Sequence, residues 1–247
     1  MTAIVCPGQG SQHPGMLDAV PELAALMADL LEEVGALDGA GAVTRHGRRM
    51  AELPMHPRLA HMVLAAMDAG AGAAACDVAA LLSERDFVSF APGEQDSDLR
   101  LRLEIVHDLR ESKRSEASRS TVDRAACRRV IRLAEALRQR LGLAAQDAVR
   151  IEAGRLLAWA YPDRIGQRRA GAPGRYLLTN GRGAFFAAPE PLSASDYIVA
   201  ADLDGERREA RIFLAAAYDL ATLLDQYAGQ VHTREILDWD ARRQAVI

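Results

Sequence analysis

Up to about residue 160 the apolar positions recur at helical spacing; beyond it they alternate. Leu23, Leu26, Met27, Leu30, Leu31 and Val34 fall at i, i+3, i+4, i+7, i+8 and i+11, one stripe of a helix, and Gly35 stands where a left-handed cap ends it. Residues 38–45 run through glycine-rich turns and form a small hairpin or wing. Pro57 can open the next helix, since its missing N–H costs nothing at the first position. Leu59, Met62, Val63, Ala66 and Met67 then share a face, and Gly70 ends it. Residues 73–84 predict an alanine-rich helix with Val78, Leu81 and Leu82 inward. Leu99, Leu103 and Val106 continue the helical period, and the polar run 111–120 reads as an exposed connection. Thr121 is the expected cap of a long helix whose inner face holds Val130, Leu133, Leu137 and Leu141, with Gly142 after it. Asp147 is the expected cap of another helix running to about Ala160, before Pro162.

From there the period is that of strands. RYLL, TNGR and GAFFA read as a hairpin with Asn180-Gly181 at its turn. YIVAADL, Asp204-Gly205 and ERREARIFL read as a second, with Asp-Gly supplying the two positive-φ positions of a type I′ turn. A helix with Leu220, Leu223, Leu224 and Tyr227 follows, and TREILDWD reads as extended. At the other end, TAIVC followed by PGQGSQHPG reads as a buried strand running into a glycine-rich turn. The fold class is therefore α+β, a helical half to about residue 160 and then a small β-barrel or sheet.

Composition changes this picture little. The chain has 247 residues and a net charge of −4, so any nucleic-acid surface must be a local arginine patch. Lys113 is the only lysine. No run of about 18 apolar residues predicts a membrane span, and the N-terminus lacks the basic and apolar regions of a secretory signal. Cys6, Cys76 and Cys127 lie far apart without a C-x-x-C pair, the pattern of reduced thiols in a cytoplasmic protein. His56 and His61 flank the start of the proline-opened helix with no acidic partner to complete a zinc triad, so no metal site is expected.

Motor chemistry is missing. A phosphate cradle needs G-x-x-x-x-G-K-[ST], and the single lysine stands in Ser112-Lys113-Arg114 without the glycines. No Asp-Glu pair exists to hold Mg²⁺. ATP hydrolysis by this polypeptide alone is not expected, and neither catalytic residues nor a cofactor are assigned.

Two arginine groups remain. Arg124, Arg128, Arg129, Arg132, Arg138 and Arg140 cover much of the long helix, as a solvated face or as a nucleic-acid channel wall. Arg168, Arg169, Arg175 and Arg182 sit on predicted short strands and turns with Tyr176, Phe185 and Phe186 interleaved. That combination suits single-stranded RNA or DNA, through backbone charge and base stacking. Alternation turns one of Phe185 and Phe186 into the barrel core.

Residues 35–86, from GALDGAGAVTRHGRRMAELPMHPRLAHMVLAAMDAG to AGAAACDVAALLSERD, closely resemble the segment after the motor in bacterial HrpB-type ATP-dependent helicases, a DEAH-box branch. GRLLAWAYPDRIGQRRAGAPGRYLLTNGRGAFF (154–186), YIVAADLDGERREARIFLAAAYDL (197–220) and ILDWDARRQAV resemble the blocks that follow, in the same order. The resemblance implies a winged-helix remnant and a ratchet-like helical bundle over residues 22–160, then an OB-like barrel over 161–247, cut short. It implies an accessory region that holds single-stranded RNA or DNA, with ATP and Mg²⁺ used only by the complete family member and the motor encoded separately.

Pro7-Gly8-Gln9-Gly10-Ser11-Gln12 resembles a different opening, that of malonyl-CoA:acyl-carrier-protein transacylases and the malonate decarboxylase acyltransferase subunit. There the loop helps form an oxyanion hole, and Gln9 matches that position. An oxyanion hole needs a nucleophile, and no G-x-S-x-G elbow occurs. Residues 1–21 are expected to be a vestigial acyltransferase-like head. The alternatives to an accessory region are an acyltransferase-related fragment and a non-functional fusion.

Overall fold

A computed structural model describes residues 21–91, 93–111, 120–143, 152–206, 208–229, 239–240 and 245–246. The expectations for Gln9 and the head, for the Asp147 cap and for most of TREILDWD lie outside these residues.

The helical half comprises α1 (Pro21–Glu33), α2 (Arg45–Ala51), α3 (Pro57–Asp68), α4 (Gly72–Ser83), α5 (Leu99–Arg110), α6 (Arg124–Leu141) and α7 (Ala153–Ala160). α1, α3 and α6 end at glycines. Gly35, Gly70 and Gly142 adopt φ of 67°, 74° and 66°, and the amides after them bond back into the last turn. His56 caps α3, its Nδ1 accepting the Arg58 N–H at 3.2 Å. The stripe on α1 is used only in part: Leu30, Leu31 and Val34 pack on the core while Leu26 stays exposed.

Alanine makes α4 the centre of the bundle. Ala73, Ala75, Ala79 and Ala80 are buried with Cys76 and Val78, so α3 and α6 approach it closely on either side. On α6 the face carrying Cys127, Val130, Ala134 and Leu137 turns inward and Arg124, Arg128, Arg129, Arg132 and Arg140 outward, while Arg138 reaches across to α4. Its cap is Asp123, whose Oδ1 accepts from Ala125 N and Ala126 N at 2.9 and 3.0 Å. Thr121, the expected cap, instead pairs with Ser89 where β1 (Val88–Phe90) meets β2 (Ser120–Val122). That two-stranded ladder joins segments far apart in sequence, which local propensity does not reveal.

The second half is a closed five-stranded barrel of β3 (Ile165–Arg168), β4 (Arg175–Leu178), β5 (Gly183–Phe185), β6 (Tyr197–Leu203) and β7 (Glu209–Ala217). The order around it is β3-β4-β5-β7-β6, with β5 and β7 parallel and every other pair antiparallel. This topology fits an OB-fold. Tyr176, Leu178, Phe186, Ile198 and Ile212 fill its interior, and Leu192 of the 3-10 turn Pro191–Ala194 closes the end. Gly166 keeps β3 close over this core, where a Cβ would come within 3.2 Å of both Leu178 and Tyr176 side-chain atoms.

The Asn180-Gly181 hairpin forms as expected. The Gly181 N–H donates to Leu178 O, Leu178 N–H donates to Arg182 O, and Gly181 takes positive φ, 81°. The type I′ turn at Asp204-Gly205 does not form. Gly205 is not left-handed, Asp204 N–H donates to Arg211 O, and Asp204 Oδ1 accepts the Glu206 N–H. The pairing offset is the same at Ile198–Ala217 and at Leu203–Ile212, the two register shifts between them cancelling, and this offset places a loop longer than two residues between the strands. Beyond the barrel stand α8 (Leu220–Gln226) and the short antiparallel pair β8 (Trp239–Asp240) and β9 (Ala245–Val246).

The two halves share one hydrophobic cluster. Ile165, Val199, Leu214, Ala216 and Tyr218 from the barrel side pack with Leu156 and Leu157 of α7 and the rest of the bundle core. Asp98, at the start of α5, bridges to Ala215 in β7, and Ala215 N–H donates to Ser97 O at 2.9 Å. Arg58 of α3 adds a polar clamp, donating to Ala160 O, Asp163 Oδ1 and Glu33 Oε2 at 3.0, 2.6 and 3.1 Å.

Candidate nucleic-acid interface on the barrel

Strand alternation decides which side chains the barrel shows. On β4, Arg175 and Leu177 face out while Tyr176 and Leu178 face in; on β7, Arg211 and Phe213 face out while Ala210 and Ile212 face in. Register then aligns them. Arg175 pairs with Phe185 across β4 and β5, and Phe185 pairs with Arg211 across β5 and β7. Arg175, Phe185 and Arg211 therefore form one row over three strands, and Phe213 continues it along β7.

The row alternates guanidinium and ring. The Arg175 guanidinium carbon stands 5.6 Å from the Phe185 ring centre, and that of Arg211 stands 5.1 Å from Phe213. Phe213 is 41% exposed, and Leu177 beside the row is 49% exposed. Arg175 also bonds Glu209 Oε1 at 2.6 Å, which holds the Glu209 carboxyl below its ordinary value. Arg211 donates to Gln95 Oε1 at 3.1 Å. Gly183 makes room for a further cation: a Cβ there would meet Arg169 Nη2 at 3.0 Å and Glu209 Cγ at 3.1 Å. Arg169 thus lies across β5 next to the row.

The expected site residues divide accordingly. Arg169 and Arg175 are brought together. Arg182 stands at the β4–β5 turn and donates to Glu206 O in the β6–β7 loop. Arg168 turns to the opposite neighbour of β3, pairing with Asp196 Oδ1 at 2.5 Å just ahead of β6. Tyr176 is a correction: it is fully buried, its hydroxyl is 2.9 Å from Ser195 O and 3.2 Å from Leu192 O, and Phe186 meets its ring edge-on. No face of that ring is open to a base. Phe186 is the inward member of its pair and Phe185 the outward one. Arg211 and Phe213 complete the row without standing out in the sequence, although ERREARIFL places both on one face of a strand.

The arginines of α6 act mainly as braces. Arg138 donates to Asp77 Oδ2 at 2.5 Å and to Ala73 O at 3.3 Å, and Arg110 of α5 grips the same carboxylate at 2.9 and 2.6 Å. Arg140 donates to Glu52 O, and Arg129 lies 3.5 Å from Glu84. Among the described residues no group of three or more His, Cys, Asp or Glu side chains could hold a metal ion. No described helix is long and apolar enough to cross a membrane.

No protein-family model matches the chain. It is 31% identical over 227 residues to the ATP-dependent RNA helicase HrpB of Escherichia coli K12, an alignment covering 91% of this chain and 25% of that protein. A crystal structure of the E. coli DExH-box NTPase HrpB superposes with a TM-score of 0.66 at 30% identity, covering 92% of this chain and 25% of the other. A crystal structure of the E. coli DEAH/RHA helicase HrpB gives 0.57 at 25% identity over the same shares. The chain is thus homologous to a part of HrpB and spans about a quarter of the length of these relatives. This similarity lends nothing to the acyltransferase resemblance of residues 7–12.

Proposed function

We propose that this chain is the accessory region of an HrpB-type helicase that holds single-stranded RNA or DNA, without an ATP site of its own. In this reading the residues up to about 160 are a winged-helix remnant and a ratchet-like bundle, and the barrel supplies the strand-binding face. The observation that carries it is the row Arg175, Phe185, Arg211 and Phe213 on the outer face of β4, β5 and β7. Guanidinium groups neutralise phosphates, and flat exposed rings accept bases of any sequence. Arg175 and Phe185 lie on the second and third barrel strands, the pair by which OB-folds take up oligonucleotides, and Arg211 and Phe213 extend the row onto the fifth. ATP and Mg²⁺ enter only through a motor domain carried on a separate polypeptide or on further sequence.

The test is fluorescence anisotropy of a labelled single strand of about ten nucleotides, within the reach of one barrel, titrated at several salt concentrations. The expected result is binding that weakens linearly in log–log form as salt rises. Absence of binding even at low salt contradicts the proposal.

A further inference from the structure

An open groove of about 880 Å³ lies along α6, with the last turn of α5 closing one side. Arg124, Arg128, Ile131, Glu135 and Arg138 line it at i, i+4, i+7, i+11 and i+14, which is one stripe of the helix. This stripe is distinct from the inward face of Cys127, Val130, Ala134 and Leu137. It is roughly 20 Å long at a helical rise of about 1.5 Å per residue, the length of four turns of a second helix laid beside it.

The floor of the groove is apolar. Ile131, Leu109 of α5 and Leu143 beyond Gly142 pack on the bundle core and stay half-buried, with their uncovered sides toward the groove. The rim is cationic. Arg110 and Arg138 both hold Asp77, at 2.6 and 2.5 Å, so their charge is partly spent inside the bundle. Arg124 and Arg128 differ. Both are exposed, they stand one turn apart, and among the described residues no carboxylate forms an ion pair with either. Four guanidinium groups therefore stand against two carboxylates, Glu135 and Asp77.

A ligand complementary to this surface is apolar on one side and acidic on the other. A nucleic-acid strand matches it poorly: Glu135, halfway along the stripe, repels a phosphate backbone, and the aliphatic floor offers no flat ring to a base. An amphipathic helix meets both demands. Its apolar face covers Leu109, Ile131 and Leu143, and carboxylates one turn apart reach Arg124 and Arg128. We infer that the α5–α6 groove docks an acidic amphipathic helix of a partner protein. The groove is separate from the barrel row, and the inference does not depend on strand binding there.

A fluorescent peptide of about four helical turns tests it by anisotropy against the full chain, with leucines at i, i+3, i+7 and i+10 and glutamates on both flanks of that stripe. The expected result is saturable binding, at least about tenfold tighter than that of the same peptide with glutamine for glutamate. Arg124→Glu/Arg128→Glu is expected to abolish that preference and to bind instead a peptide with lysine for glutamate. Arg128→Glu alone is expected to weaken the acidic peptide by about fivefold. Arg132→Glu, an equal change at an exposed position outside the groove, is expected to leave it unchanged. Equal losses in Arg128→Glu and Arg132→Glu mean unspecific charge attraction and overturn the inference, as does an acidic peptide that does not bind. A uridine-rich single strand that binds the wild type and is lost in the double variant, with the acidic peptide unbound, overturns it in favour of nucleic acid. A dimer of the chain in light scattering that the double variant dissociates overturns it in favour of a second copy.

Discussion

Gly154 of α7 lies directly against the carbonyl of Ala217 at the end of β7, where any Cβ would overlap the oxygen and come within 3.1 Å of Tyr218 Cα. This contact is where the bundle is pressed onto the barrel, since Leu156 and Leu157 on the same helix enter the shared core. Backbone cannot retreat as a flexible side chain can. Gly154→Ala is therefore expected to cost about 3 kcal/mol, at the upper end of overpacking effects. In a chain of this size that lowers the melting temperature by roughly 6–12 °C. Calorimetry checks it, and an unchanged melting temperature counts against the close packing of α7 on β7.

Arg58 makes a second prediction about the same junction. Its side chain is 12% exposed, bonded to two carboxylates and a carbonyl, and its guanidinium carbon stands 5.6 Å from the Tyr161 ring centre. Arg58→Met keeps most of the volume but leaves Ala160 O and Asp163 short of donors. A loss of about 2–4 kcal/mol is expected in chemical denaturation. Arg58→Lys is expected to recover only part of it, because one ammonium cannot span three acceptors set apart by a planar fork.

Acid should loosen the α2–α3 corner. His46 Nε2 and His61 Nδ1 share a hydrogen bond at 2.8 Å, which requires at least one neutral ring. Burial first, and His46 alongside, push His61 from 6.5 down to about 4. Burial and Arg49 also lower His46, with Asp68 opposing. Because the folded value lies below the unfolded one, stability is full above pH 6.5 and falls between pH 6.5 and 4 as the unfolded chain takes up protons that the folded one refuses. The contribution of His61 is at most about 3 kcal/mol. Thermal melts between pH 4 and 7 should fall more steeply for the wild type than for His61→Gln; parallel curves contradict this.

Helix boundaries were legible because their causes are local. Gly35, Gly70 and Gly142 end helices in the left-handed conformation that only the sequence neighbourhood has to support, and Pro57 opens one for a similar reason. The site was legible only in part, because it is built across strands. Arg169 and Arg175 stand out as arginines near aromatics. Their alignment with Arg211 and Phe213 depends on the parallel pairing of β5 with β7, which no turn connects. Tyr176 was misplaced although RYLL carried the needed signal: alternation that turns Arg175 outward turns Tyr176 inward with Leu178. Thr121 lost its capping role to Asp123 because a strand pairing with residues 88–90 claimed it first.

The most direct test of the central claim is the salt dependence of single-strand binding by the wild type and by Arg175→Ala/Arg211→Ala. If the row holds the strand, the wild type binds, and the variant binds more weakly with a log–log salt slope shallower by about 1.4, about 0.7 for each phosphate that is no longer neutralised. Its melting temperature should stay close to that of the wild type, since Arg175 is exposed and Arg211 only half-buried. A wild type that does not bind, or a variant whose affinity and slope match the wild type, contradicts the account.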